Sequence, residues 1–243
     1  MALKEDYLKL GQLLFRIRSY IPLILIPFYI IVIYVQVDKP FYFSINLFFC
    51  ALISLCGITV RIFTICFVPP NTSGRNVQRQ VADTLNTTGF YSIVRHPLYL
   101  GNYIIWLGIS LYTASPVIVL LTLCFYWLYY EIIMFTEEEY LRDKFGIEFE
   151  DWANRVPAII PNFKHFKKCA SHFSLKKVIR QENDGVYALI ITFFFLKLIK
   201  EFSETSTLTA DYCWLITVII STILYIILKI IKKKTNLLKD QRI

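Results

Sequence analysis

Apolar runs close to the length of a membrane crossing recur along this chain, and they constrain its fold before any motif is considered. They cover about Ile21 to Val37, Phe43 to Phe67, Leu98 to Ala114, Val117 to Phe135, Val186 to Ile199 and Tyr212 to Ile231. A hydrocarbon core of about 30 Å takes about 20 apolar residues in a helix, and every backbone polar group inside it must be satisfied within the element. With 56% hydrophobic residues and a mean hydropathy of +0.52, the 243-residue chain is more apolar than a soluble domain of that length needs for its core. The expected fold is all-α, a polytopic transmembrane helical bundle of about six spans.

Charge sets the expected topology. The net charge is +8, but the Lys and Arg residues stand beside apolar runs and form no basic patch with interleaved aromatics, so the pattern is positive-inside and not that of a nucleic-acid surface. Lys4, Lys9, Arg16 and Arg18 precede the first run, where Pro22 and Pro27 and the lack of a small-residue cleavage site predict an uncleaved span. A turn at Asp38-Lys39-Pro40 closes the first hairpin, and Ser115-Pro116 closes the second. Lys164, Lys167, Lys168, Lys176, Lys177 and Arg180 mark a cytosolic stretch, and Lys232-Lys233-Lys234 a cytosolic C-terminal tail. Parity then requires the short fifth run to cross as well, with Lys197 and Lys200 reaching outward, which leaves both termini cytosolic. Arg61, inside the second run, either snorkels or serves a site. The chain divides into an N-terminal transmembrane hairpin over 1–56, a core over 57–163 and a basic linker with a C-terminal transmembrane pair over 164–243. Cys50, Cys56, Cys66 and Cys124 fall in apolar runs without C-x-x-C spacing and read as small core residues.

Two clusters carry reactive side chains. Tyr91, Arg95, His96 and Tyr99 lie within nine residues at a membrane entry point, flanked by Gly89 and Gly101. Aromatic and basic residues also anchor helix ends at headgroups, but Pro97 suits the first turn of a helix, glycine allows close backbone approach, and free N–H groups there suit a carboxylate. The second cluster, Glu137-Glu138-Glu139, follows the fourth run, where the helix is expected to continue past the membrane and Glu138 to pair with Arg142 at i,i+4. Glu131 lies deeper, where a carboxylate is costly and reads as functional or paired. The two clusters fall at the same ends of adjacent helices and are expected to face each other across a pocket. His165 and His172 have no acidic or Cys partner at metal-ligand spacing, so no metal is expected. Neither a Gly-x-Gly-x-x-Gly nor a phosphate-loop signature is present.

The stretch from roughly Gly57 to Pro161 resembles the isoprenylcysteine carboxyl methyltransferases and related phospholipid methyltransferases. The marks are Leu85-Asn86-Thr87-Thr88-Gly89-Phe90-Tyr91, then Arg95-His96-Pro97-Leu98-Tyr99-Leu100-Gly101, then Glu137-Glu138 with Phe145-Gly146, Trp152, Val156-Pro157 and Pro161. The resemblance implies S-adenosylmethionine as cofactor, enclosed by Asp83, Thr84, Leu85, Tyr91, His96, Pro97, Leu98 and Tyr99, with Glu137 and Glu138 reaching it from the other side. Arg95 and Glu137 are implied as the catalytic residues, Arg95 holding the cofactor or orienting the substrate. The implied reaction is in-line methyl transfer to a lipid or lipid-anchored acceptor. The carboxyl methyltransferases carry an arginine shortly before the paired glutamates, whereas Glu131 to Thr136 holds no basic residue, so carboxylate, phosphate and amine acceptors all stay open. The expected location is a membrane with the site facing the cytosol, a bacterial inner membrane ahead of the endoplasmic reticulum. Sterol reductases share a related Arg-x-Pro-x-Tyr-x-Gly stretch, so an NADPH-dependent reductase is the alternative enzyme, and a non-enzymatic scaffold the third reading. His96 beside Pro97, and Asn102 after Gly101, favour the methyltransferase.

Overall fold

The computed structural model describes residues 3–35, 46–69, 72, 80–169, 173–207, 211–235 and 237–238. The expected turn at Asp38-Lys39-Pro40, His172 and most of the Asn71 to Asn76 stretch lie outside them. Among the described residues the fold is all-helical: α1 (Leu3–Ile17), α2 (Leu25–Val35), α3 (Leu47–Cys66), α4 (Pro97–Leu111), α5 (Pro116–Phe145), α6 (Ile147–Ala153), α7 (Leu175–Thr205) and α8 (Tyr212–Lys234). Helices α3, α5 and α8 are long and apolar enough to cross a membrane. The segment Ile21–Val35 joins α1 at a bend of 79°, and this pair passes the same test as one broken element. The apolar part of α5 ends at Phe135, and the helix continues through the charged residues to Phe145, as expected.

Local sequence explains the boundaries. Pro97 occupies the first turn of α4, where its missing N–H costs nothing. Ser115 caps α5 by accepting from the Ile118 N–H, with Pro116 next in line. Ser174 caps α7 in the same way through the Lys177 N–H. The apolar run Val186 to Ile199 is part of the 31-residue α7 and not a short element of its own. Its Lys197 folds back onto Glu201, one turn along the same helix.

Helices α3 and α4 form the tightest pair, because glycines let their backbones approach. A Cβ on Gly57 would stand 2.5 Å from the Gly101 carbonyl oxygen, and one on Gly108 the same distance from that of Cys50. The Ser54 hydroxyl donates across this seam to the Ile105 carbonyl at 2.9 Å. Tyr29 of α2 bonds Thr122 of α5 at 2.9 Å, and a core of Ile33, Cys50, Ile58, Ile109 and Phe193 fills the space between α2, α3, α4 and α7. Cys50 and Cys66 are buried as expected, but Cys56 and Cys124 are exposed on helix faces turned away from the bundle. Helix α1 packs on α5 through Gly11 and Phe15 and leaves Leu3, Leu10, Leu13 and Ile17 exposed. Helix α8 buries none of its residues and meets the bundle through α7. An apolar helix with so little of its surface covered by protein is one that lipid solvates.

Candidate active site

The loop before α4 is built as a strip zipped to the segment after α6. Arg95 N–H donates to the Pro157 carbonyl at 2.8 Å, His96 N–H to Ala158 at 3.1 Å and Gly89 N–H to Lys167 at 2.9 Å. These are the donors expected to be free for a carboxylate, so the backbone here holds the loop in place and not an anion. Gly89 has φ +62°, and a Cβ there would stand 2.5 Å from Cys169 Sγ, so this turn admits only glycine without rearrangement. Trp152 of α6 donates its ring N–H to the Tyr91 carbonyl at 2.9 Å, and Phe149, Trp152 and Val156 pack with Leu85 and Tyr91. Helix α6 thereby buttresses the strip from behind.

Arg95 and His96 then reach α5. The Arg95 guanidinium donates from Nε to Glu138 Oε1 at 2.8 Å and from Nη1 to the carbonyls of Ala153 and Val156 at 2.8 and 2.7 Å. His96 Nε2 lies 2.8 Å from the same Glu138 oxygen, in a position where only 5% of the residue is exposed. Tyr99, one turn into α4, donates its hydroxyl to Glu137 Oε2 at 2.9 Å. The two clusters therefore meet, residue against residue. Burial pushes the Glu138 carboxyl up, but the bonds from His96 and Arg95 outweigh it and hold the group below the usual carboxylate range. The expected Glu138–Arg142 pair does not form: Arg142 pairs with Glu139 on its own helix instead. A buried cation outbids an i,i+4 pair, which contributes only about 0.5 kcal/mol.

One cavity of about 970 Å³ opens beside this junction. Thr84, Leu85, Tyr91, Arg95, His96, Pro97, Leu98, Tyr99 and Glu137 line it. Asp83 is exposed outside the lining, and Glu138 stands behind Arg95 and His96. Glu131 is exposed and lies away from the cavity. Ile58, Ile105, Trp106, Ile109 and Leu189 give it apolar surface, and α7 and α8 add the charged residues Arg180, Asp184, Lys229, Lys232 and Lys233. With charged and apolar surface both on its lining, the space suits a charged cofactor beside a lipid-like partner. Sequence reasoning missed Gln80, Tyr130 and Glu182, which also line it, used Asn102 only as a mark of resemblance, and left Arg61 undecided. Arg61 does not snorkel: it is held by Glu182. A charge inside an apolar run was the signal for Arg61, whereas Glu182 lies 121 positions away and gave none.

Residues 45–148 match the phospholipid methyltransferase family. This phospholipid-methyltransferase stretch runs from just before α3 into α6, holds both clusters and covers less than half of the chain. The chain is 38% identical across 77 residues to the protein-S-isoprenylcysteine O-methyltransferase of Schizosaccharomyces pombe, covering 32% of this chain and 33% of that protein. The protein of the same description from Rattus norvegicus is 31% identical over 123 residues, covering 47% of this chain and 43% of its own. Nickel-cobalt-cadmium resistance protein NccN of Alcaligenes xylosoxydans xylosoxydans is 35% identical over 83 residues, covering 34% and 38%. The chain spans between 31% and 43% of the length of the curated relatives it matches. No solved structure matches it. The apolar helices and the matched stretch together make this an integral membrane protein.

Proposed function

We propose that the protein is an S-adenosylmethionine-dependent methyltransferase acting on a lipid or lipid-anchored acceptor, with the cavity beside Tyr99 and Glu137 as its active site. The observation that carries this reading is the meeting of Tyr99 with Glu137, and of Arg95 and His96 with Glu138, along one amphiphilic cavity. The donor set fits the cofactor. Glu137 offers a carboxylate to an ammonium group, aromatic faces at Tyr91 and Tyr99 suit a sulfonium, and the buried Gln80 amide nitrogen on the lining has no partner among the described residues. When bound, S-adenosylmethionine supplies an electrophilic methyl group for in-line displacement.

The chain's own part is alignment and exclusion of water. Arg95 is committed through Glu138 and two carbonyls, so in this reading it keeps the wall rigid and carries His96 with it. Tyr99 fixes the rotamer of Glu137, whose side chain is one-third exposed toward the cavity. The apolar wall strips solvent from an incoming nucleophile, which raises its reactivity without a dedicated base when it is already anionic. The proposed topology has six crossings with both termini cytosolic, supported by the basic tail at Lys232 to Lys234, and places the cavity mouth on the cytosolic face, in a bacterial inner membrane ahead of the endoplasmic reticulum.

Calorimetric titration of the purified protein with S-adenosylmethionine tests the reading. Saturable binding that Tyr99→Ala and Glu137→Ala abolish, with thermal unfolding retained, is expected. Unchanged binding in both variants overturns it, and heat protection by NADPH but not by S-adenosylmethionine turns the assignment to a reductase. Membranes incubated with methyl-labelled cofactor and then extracted separate a lipid acceptor from a lipid-anchored protein.

A further inference from the structure

A line of polar side chains joins α7, which lies outside the matched stretch, to the Tyr99–Glu137 pair. Glu182, only 2% exposed, accepts from Arg61 through both carboxylate oxygens, at 2.9 Å from Nε and 2.6 Å from Nη2. Arg61 Nη1 donates to Asn102 Oδ1 at 2.6 Å, and Asn102 Nδ2 donates to the Tyr130 hydroxyl at 2.8 Å. The Tyr130 ring lies 4.8 Å from that of Tyr99, centroid to centroid, and Tyr99 donates to Glu137. Arg61, Asn102, Tyr130 and Glu182 all line the cavity.

The direction of this line is fixed at its α7 end. A guanidinium has no acceptor, so Asn102 must turn its carbonyl oxygen to Arg61 and its amide to Tyr130. Removing Glu182 leaves a buried cation free to draw Asn102 away, and the Tyr130 hydroxyl then loses the bond from Asn102. A pair that merely docked α7 would need neither Asn102 nor Tyr130. Buried ion pairs add little net stability compared with apolar packing, so one built into a cavity wall is better explained by the arrangement it specifies.

We infer that Glu182 is a positioning residue of the active site: through Arg61, Asn102 and Tyr130 it seats the Tyr99 ring against the cavity. The inference draws on the methyltransferase reading only for what that ring serves. Its test is a fluorine resonance from 3-fluorotyrosine placed at position 99 alone, recorded on the full chain in lipid nanodiscs without cofactor. Asn102→Leu cuts the line but spares the Arg61–Glu182 pair, and Glu182→Gln weakens it at its source. Tyr187→Phe, which removes a hydroxyl contact to Thr222 between α7 and α8 while keeping the ring, is the control, since neither residue lines the cavity.

The Tyr99 resonance is expected to shift and broaden in Asn102→Leu and Glu182→Gln and to stay in place in Tyr187→Phe. In the unlabelled Asn102→Leu protein, S-adenosylmethionine binding should weaken about tenfold while the unfolding midpoint stays near that of the parent. An unmoved resonance in Asn102→Leu overturns the inference, whatever Glu182→Gln does to folding. A resonance that moves equally in Tyr187→Phe overturns it too, since any disturbance of α7 would then suffice. Absence of cofactor binding in the parent protein would defeat the methyltransferase reading and leave the resonance to decide the role of Glu182.

Discussion

Glu138 accepts from Arg95 and faces His96 at the same oxygen, so one carboxylate ties the strip before α4 to the end of α5. Glu138→Gln removes the charge that both partners face, and a cost of about 3 kcal/mol is expected from leaving Arg95 uncompensated in a half-buried wall. Thermal unfolding in detergent, followed by circular dichroism, checks it. Tyr99→Phe asks a different question. It deletes the hydroxyl on Glu137 but keeps the ring, so the unfolding midpoint should change little while cofactor affinity falls about tenfold, read by titration calorimetry. Arg95, His96, Tyr99, Glu137 and Glu138 were legible because reactive types crowd into short stretches at helix ends. The Glu138–Arg142 expectation failed because spacing identifies the residues that share a helix face, and says nothing about a stronger partner arriving from another element. Arg61 was visible as an anomaly, but its partner belongs to a helix more than a hundred residues on.

Helix α4 owes its position to glycine. A methyl group at Gly57 would strike the Gly101 carbonyl and the Ile105 backbone nitrogen, neither of which can step aside as a side chain does. Gly57→Ala is therefore expected to lower stability by about 2 kcal/mol through overpacking and to weaken cofactor binding, because α4 carries Tyr99 and Asn102 away from their partners. Chemical unfolding and ligand titration on the same sample separate the two effects. The start of α4 at Pro97 and the passage of α5 beyond Phe135 were readable from proline chemistry and from an apolar run that flows into good helix formers. Helix α7 was read too short, because its first turns are polar and apolar content alone marks a crossing, not a helix. Those turns are where Ser174 N–H meets the last carbonyl of α3, at Cys66, and Lys177 donates to the carbonyls of Val68 and Pro69 just beyond it. Helix α1 was not anticipated at all: its basic residues drew attention, while its exposed stripe of Leu3, Leu10, Leu13 and Ile17 shows only once the helix is drawn.

The molecule as a whole depends on its C-terminal pair. Ending the chain after Cys169 would strip Arg61 of Glu182 and the carbonyls just past α3 of Lys177, so the shortened protein is expected to aggregate on extraction, whereas the full chain is expected to elute as a single species in size exclusion. That an all-helical membrane bundle would form was plain from the recurrence of apolar runs, whereas the way its ends fold over the core depends on contacts between distant segments that no local pattern encodes. The helices of this bundle also differ in reach. With 15 residues, α4 rises about 22 Å, and α8, with 23, about 35 Å. A hydrocarbon slab of about 30 Å is matched by the second and not by the first, and α4 has no exposed residue, so the surrounding helices and not lipid enclose the short one. On the proposed reading, Tyr99 and Glu137 meet at the N-terminal end of this short helix, so a thinner bilayer would bring the cavity mouth nearer to water and acyl length would act as a dial on methyl transfer. Turnover in a graded series of vesicles is expected to be higher in thin bilayers and to fall as the chains lengthen.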